Sequence, residues 1–232
     1  MIVGIHQPNF IPSLSYFSKL MYSDIFIFLD SVQYIKENWT NRNRIKSPSG
    51  DSFLTVPVRG EAKSGQSIYE VKISYDKNWC KKHLNIIYNN YHKTPYYHAI
   101  ISAIKESFEK EWEFLSDMNI YIIRRMCDIL GIKRSFHVAS ELGRTHLKST
   151  DLLIFLTKIV GGDTYLSGTG GKKYMNFEKF PENGLNLHFI NYKPIPYRQQ
   201  FGDFISNLSI IDLLFNEGPD ALRLVRESAE VA

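Results

Sequence analysis

Three groups of residues in this 232-residue chain have types and spacings suited to chemistry. The first is His6-Gln7, followed by Pro8-Asn9-Phe10-Ile11-Pro12, with Asp30 further on. An imidazole with a pKa near neutrality can take a proton from a reacting group, and a neighbouring carboxylate or amide can orient it. His6, Gln7 and Asp30 are therefore the candidate catalytic residues. The second group is Asn41-Arg42-Asn43-Arg44. In a strand, a period of two puts both arginines on one face and both asparagines on the other. Two adjacent guanidiniums can clamp a phosphate or carboxylate, although charge guarding an edge strand gives the same pattern. The third group is Ser167-Gly168-Thr169-Gly170-Gly171-Lys172-Lys173-Tyr174, a glycine-rich run whose backbone donors can reach an anion. It matches neither a Walker A sequence nor a G-x-G-x-x-G fingerprint. Gln33, Asn41, Asn43 and Gln199 are suited to a ligand's hydroxyls or to an oxyanion, and Tyr174 and Tyr197 complete the candidate binding set.

The elements that position these groups follow from periodicity. Ile2 to Ile5 reads as a buried strand that delivers His6 and Gln7 to a loop closed by two prolines, which lack a donor and favour extended neighbours. An amphipathic helix is expected over Leu14 to Met21. The unbroken apolar run Ile25 to Leu29, ending at Asp30, is that of a parallel strand buried on both faces. Strand, helix and strand make a βαβ unit, so His6 and Asp30 should open on one sheet edge, where ligands of open α/β sheets bind.

Ser47-Pro48-Ser49-Gly50-Asp51 is a turn signal between two β-type runs, Asn41 to Ile45 and Phe53 to Val58, and predicts a hairpin. Gly60 to Gln66 reads as a mobile loop and Val71 to Ile73 as a short strand. Helical periodicity then runs from about residue 78 to 131, broken at Thr94-Pro95 and capped by Gly131, and is read as a helical insertion. Cys80 and His83 share a helical face there but have no third residue to orient them, so they read as structural. Further strands are expected at Ser135 to Val138, Thr164 to Leu166 and Leu185 to Ile190. Helices are expected from Leu152 to Val160, behind a Ser149-Thr150-Asp151 cap, and after Ser209. The fold class expected is one α/β domain over residues 1–232, with a mostly parallel Rossmann-like sheet flanked by helices.

Composition narrows the function classes. Hydrophobic content of 44% and charged content of 22% suit a globular protein. No apolar run has transmembrane length, and the N-terminus does not read as a signal peptide. Two distant cysteines, Cys80 and Cys127, argue against a disulfide framework or a structural zinc site, and the cytoplasm is the expected compartment. The net charge is only +4, yet between Lys36 and Lys93 there are 11 Lys/Arg against 5 Asp/Glu. That imbalance suits a small anionic ligand and is too weak for nucleic acid.

Several motifs carry a resemblance to one family. They are His6-Gln7-Pro8-Asn9-Phe10-Ile11-Pro12, Tyr16-Phe17 with Lys19, Phe28-Leu29-Asp30-Ser31-Val32-Gln33-Tyr34, Asn41-Arg42-Asn43-Arg44-Ile45 and Thr55-Val56-Pro57-Val58. Tyr165-Leu166-Ser167-Gly168, Phe204 and the run Leu208 to Gly218 follow in order. The chain resembles the WbqC-like family along most of its length, departing at Ser13-Leu14-Ser15, where Trp and Gly would be expected. Asn9 and Lys19 join the candidate binding residues on that ground. The resemblance implies surface-polysaccharide (O-antigen) biosynthesis, with attachment of an acyl or aminoacyl group, such as glycyl, to a nucleotide-linked amino sugar. No cofactor is fixed: an activated acyl donor or ATP with Mg²⁺ would serve, and a homodimer stays open. The first strand with its His-Pro loop, and the late Ser-Gly-Thr-Gly, are also similar to nucleotidylyltransferase-like folds. Here Asn9 stands where the second histidine of their signature would be. ATP-dependent nucleotidyl transfer or carboxylate activation, and non-catalytic sugar-nucleotide binding, are the alternatives.

Overall fold

The computed structural model describes residues 1–60, 65–76, 78–143 and 145–232. Its centre is a six-stranded sheet built from β1 (Ile2–His6), β2 (Ile25–Phe28), β5 (Ser135–Val138), β6 (Thr164–Gly168), β7 (Asn186–Tyr192) and β8 (Ala229–Val231). Across the sheet the order is β5-β2-β1-β6-β7-β8, and only the β7–β8 pair is antiparallel. This is a mixed α/β, Rossmann-like architecture. The order reverses direction between β1 and β6, and that is the switch point where such sheets open a crevice.

Strand alternation sorts the core into two layers. Ile25 and Ile27 face one side with Val3, Ile5 and Tyr165, under α5 (Ser149–Ile159) and the short α6 (Lys179–Glu182). Phe26 and Phe28 face the other side with Tyr16, Phe17 and Leu20 of α1 (Leu14–Met21). That second layer also holds α4 (Leu115–Leu130), α7 (Ile210–Glu217) and α8 (Ala221–Glu227). Two further helices, α2 (Trp79–Tyr91) and α3 (Tyr97–Glu109), extend the same apolar cluster. All four residues of β2 are buried, as an unbroken apolar run requires. Gly4 in β1 is a packing necessity, because a Cβ there would lie 2.2 Å from Ser23 Oγ and 3.0 Å from the Phe26 ring.

The hairpin is β3 (Arg42–Ser47) with β4 (Gly50–Thr55), pairing Arg42 with Thr55 and Ser47 with Gly50. Gly50 sits at φ +115°, which a β-carbon disfavours. Val71 to Ile73 does not form the expected strand; it makes only isolated bridges, Lys72 to Phe114 and Ile73 to Val58. Residues 61–64 of the expected Gly60–Gln66 loop lie outside the described residues. α5 begins at Ser149, and no side chain caps it. The Ser209 hydroxyl caps α7 from Ile211 and donates to the Ile11 carbonyl at 2.7 Å, tying the last helices to the first loop. β8 carries no alternation long enough to be seen in the sequence. No described helix is long and apolar enough to cross a membrane.

Candidate functional site

A crevice of about 380 Å³ opens at the switch point. His6 and Asn9 enter it from the end of β1, and Ser13, Ser15, Tyr16 and Lys19 from α1. Gly168, Thr169 and Gly170 line it beyond β6, and Ile190 and Tyr192 on β7. Trp39 and Asn43 reach it from the hairpin side and Asn207 from the segment before α7. Three separated stretches noted in the sequence, the His6 loop, Lys19 and the glycine-rich run, therefore meet in one place.

The His6 ring lies 4.7 Å from Tyr16, edge to face, and its Nδ1 donates to the Gln7 carbonyl at 3.1 Å. That bond leaves Nε2 as the proton-accepting nitrogen. Burial, reinforced by the Lys19 charge, holds the imidazole at about 4, well below its ordinary 6.5, so it is neutral at physiological pH. Lys19 is 6% exposed and its Nζ donates to the Ile5 carbonyl at 2.6 Å. Burial pushes its ammonium down to about 7. The same Nζ lies 5.5 Å from the centre of the Tyr165 ring, which faces the opposite side of the sheet edge.

The glycine-rich run departs from expectation. It leads into a five-residue 3₁₀ turn, Thr169–Lys173, rather than an α-helix. Gly168 and Gly170 border open space, whereas Gly171 is packed against Ser167 Oγ and Met175. Ser167 is buried and bonds the Gly168 carbonyl at 3.0 Å, away from the crevice, and Tyr174 is 61% exposed outside it.

Other candidates sit elsewhere. Asp30 does not orient His6: its carboxylate accepts the Ser140 amide at 2.9 Å and hydroxyl at 2.6 Å. The parallel strands do bring both residues to one edge, but Asp30 bonds Ser140 beyond β5 while His6 packs on Tyr16 and lines the crevice with Gly168–Gly170 beyond β6. Gln7 contributes its backbone carbonyl, and Gln33 is exposed, bridged to Ser67. Arg42 and Arg44 share a face, as their spacing requires, but carboxylates already engage them: Glu37 lies 3.6 Å from Arg42 and Asp51 3.0 Å from Arg44. Their guanidiniums also lie over Phe53 and Trp39. Asn43 donates to the carbonyls of Phe10 and Ile11 and Asn41 to that of Val56, so both mainly hold backbone. Tyr197 and Gln199 donate to the buried carboxylate of Asp212, at 2.7 and 2.8 Å, with Tyr91 as a third donor at 2.8 Å. That cluster anchors the Pro-broken segment. His83 packs among Phe10, Trp79 and Phe108, with no hydrogen bond to Cys80 among the described residues.

Trp39, Ile190, Tyr192 and Asn207 line the crevice without having been among the candidates, and Thr169 entered only as part of the glycine-rich run. Ser13 and Ser15 appeared only as a departure from the family pattern. Asn207 takes φ +56°, a conformation asparagine tolerates better than most residues, but that gives no sign that it lines the crevice.

Fold and crevice together define a Rossmann-like α/β protein with an open crevice at its switch point. The WbqC-like protein family matches residues 7–224, and the chain belongs to that family. It is also 32% identical over 230 residues, 97% of this chain and 99% of the other, to the "Uncharacterized protein Rv1507c" of Mycobacterium tuberculosis (strain ATCC 25618 / H37Rv). No solved structure gives a significant match.

Proposed function

We propose that this protein transfers an acyl or aminoacyl group onto the amine of a nucleotide-linked amino sugar, in surface-polysaccharide assembly. The observation that carries the reading is the meeting of a neutral, oriented His6 with a buried Lys19 in the switch-point crevice. The amine nitrogen attacks the carbonyl carbon of an activated acyl donor, a thioester or an acyl adenylate. The new C–N bond forms as the bond to the thiolate or phosphate leaving group breaks. The amine proton passes to His6 Nε2, a weaker acceptor than the near-neutral base its residue type suggested, because burial and the Lys19 charge hold it at about 4. Asn9, Ser13 and Ser15 supply donors for sugar or phosphate oxygens, and Trp39 at the rim offers a flat face for a sugar or base ring.

Mass spectrometry of an amino-sugar nucleotide incubated with acyl-coenzyme A donors, or with amino acids, ATP and Mg²⁺, tests the proposal. An acyl mass added by the wild type and not by His6→Ala supports it. An equal product yield from both removes His6 from the mechanism, and no product with any donor argues for a binding protein instead.

A second reading is nucleotidyl transfer or carboxylate activation with ATP. It is favoured by His6, Asn9 and the Thr169–Gly170 backbone lining one crevice below the switch point. Pyrophosphate release that needs only ATP, Mg²⁺ and a phosphorylated or carboxylate substrate would select it.

A further inference from the structure

We propose that the inner end of the crevice is a site for a phosphate-type anion, with Lys19 as the counter-ion and the Asn9 amide as a pre-positioned donor. The inference deepens the transferase reading and rests on it only for the identity of the full ligand. The site itself follows from charge and hydrogen bonding.

Lys19 is a buried cation whose one hydrogen bond goes to a neutral carbonyl. Among the described residues it takes part in no ion pair. No carboxylate lines the crevice, and of those on the elements packed around α1 only Glu217, at the far C-terminal end of α7, is without a partner among the described residues. Asp24 accepts the Ile2 amide, and Asp212 of α7 accepts Tyr91, Tyr197 and Gln199. Glu227 of α8 pairs with Arg223, and Glu230 of β8 with Lys193. The groups nearest Lys19 are the His6 imidazole on β1 and the Tyr165 ring on β6, while Tyr16 of its own helix and Tyr192 of β7 line the same crevice. None of these is a carboxylate. A buried ammonium without a counter-ion either gives up its proton or acquires an anion, and this one opens on a cavity large enough to bring one in.

Asn9 supplies the second, independent observation. It is 9% exposed and lines the same crevice, yet its side-chain amide has no hydrogen-bond partner among the described residues. The loop around it is pinned on both sides. Asn119 Nδ2 donates to the Pro8 carbonyl at 2.8 Å, and Asn43 Nδ2 donates to those of Phe10 and Ile11 at 3.1 and 3.0 Å. The Phe10 amide donates to the Trp39 carbonyl at 2.9 Å. One unengaged amide in a loop fixed this tightly is an organised donor awaiting an acceptor. The first turn of α1 begins beside it, with the Ser13 and Ser15 hydroxyls 3.1 Å apart on the crevice wall. A tetrahedral anion here meets donors from the loop, the helix and Lys19, and its arrival returns the proton that burial makes Lys19 readily lose.

Calorimetric titration with sulfate, at constant ionic strength in two buffers of different ionisation enthalpy, tests this because sulfate itself does not titrate in the range used. Wild-type affinity is expected to fall about tenfold per pH unit above about pH 7, with close to one proton taken up per sulfate at pH 8. Lys19→Met is expected to lose at least about tenfold in affinity at pH 6 and all of the pH dependence. Asn9→Ala, which removes no protein hydrogen bond, is expected to weaken binding severalfold while keeping the pH dependence, and it serves even if Lys19→Met fails to fold. No sulfate binding at pH 6, a flat pH profile, or wild-type affinity in either variant overturns the proposal. UDP-glucosamine, whose sugar amine is free, is the second probe. If sulfate binds as expected and this compound does not, the anion site stands and the nucleotide-sugar reading falls.

Discussion

Lys19 Nζ donates at 2.6 Å to the carbonyl of Ile5, the residue immediately before His6, so helix α1 and strand β1 place an amine and an imidazole on one crevice. Burial depresses the proton affinity of both, and the Lys19 charge lowers that of His6 further. The consequence for stability has a definite sign. An unfolded chain keeps the Lys19 proton up to its ordinary 10.5, whereas the folded chain releases it near 7. Between those values the unfolded state binds more protons, so stability rises with pH. For His6 the corresponding window runs from about 4 to 6.5, again with stability rising as pH rises. Urea unfolding between pH 7.5 and 9.5 should show the wild type gaining up to roughly 2.7 kcal/mol over Lys19→Met. Parallel slopes for the two proteins would mean that Lys19 is not titrating in the folded state.

His6→Ala should lower kcat by about 10²- to 10⁴-fold, the usual contribution of a positioned proton acceptor. Affinity for the sugar nucleotide should stay within about threefold, because the ring is placed to take a proton rather than to hold the ligand. Steady-state and binding measurements on the same preparation separate the two. A rise in Kd with kcat unchanged would make His6 a binding residue.

Gly4→Ala should destabilise the protein by roughly 1–3 kcal/mol, the ordinary cost of overpacking a core. The new methyl would meet Ser23 Oγ at 2.2 Å in the middle of the strand that carries His6. Denaturant unfolding measures the loss. The double variant Gly4→Ala/Ser23→Gly should recover part of it, since it removes the atom that the methyl meets.

Asp212→Ala should cost roughly 3 kcal/mol or more, because it leaves the Tyr91 and Tyr197 hydroxyls and the Gln199 amide without their buried acceptor. Asp212→Asn keeps an acceptor oxygen and should cost less. Thermal unfolding of the two variants ranks them, and equal losses would show that the charge matters rather than the acceptor.

Much of the fold was legible because its signals are local. The run Ile25-Phe26-Ile27-Phe28 can be little but a doubly covered strand, and α1 has the bounds its apolar spacing predicts. The end of β1 could be placed because two prolines follow it. The roles of polar residues were less legible, since a side chain's partner depends on which strand lies beside it. Arg42 and Arg44 face the same way, as alternation requires, but nothing in their spacing announces Glu37 and Asp51 beside them. Asp30 is at the expected edge, yet the strand order sets it against Ser140. Tyr197 and Gln199 read as ligand contacts because a Pro-broken polar segment looks functional; the buried Asp212 that holds them comes from a helix that reads as apolar. Lys19 looks like the polar side of an amphipathic helix until β1 and β6 close over it.

The most direct test of the central claim is a thermal shift with an amino-sugar nucleotide on the wild type and on Gly170→Trp. Gly170 lines the crevice and has open space where a side chain would start, so the indole fills the site without straining the backbone. Ligand should raise the wild-type Tm, whereas Gly170→Trp should melt at the wild-type temperature without ligand and not move when ligand is added. An equal shift in both proteins would place the ligand outside the crevice and remove the crevice as the binding site.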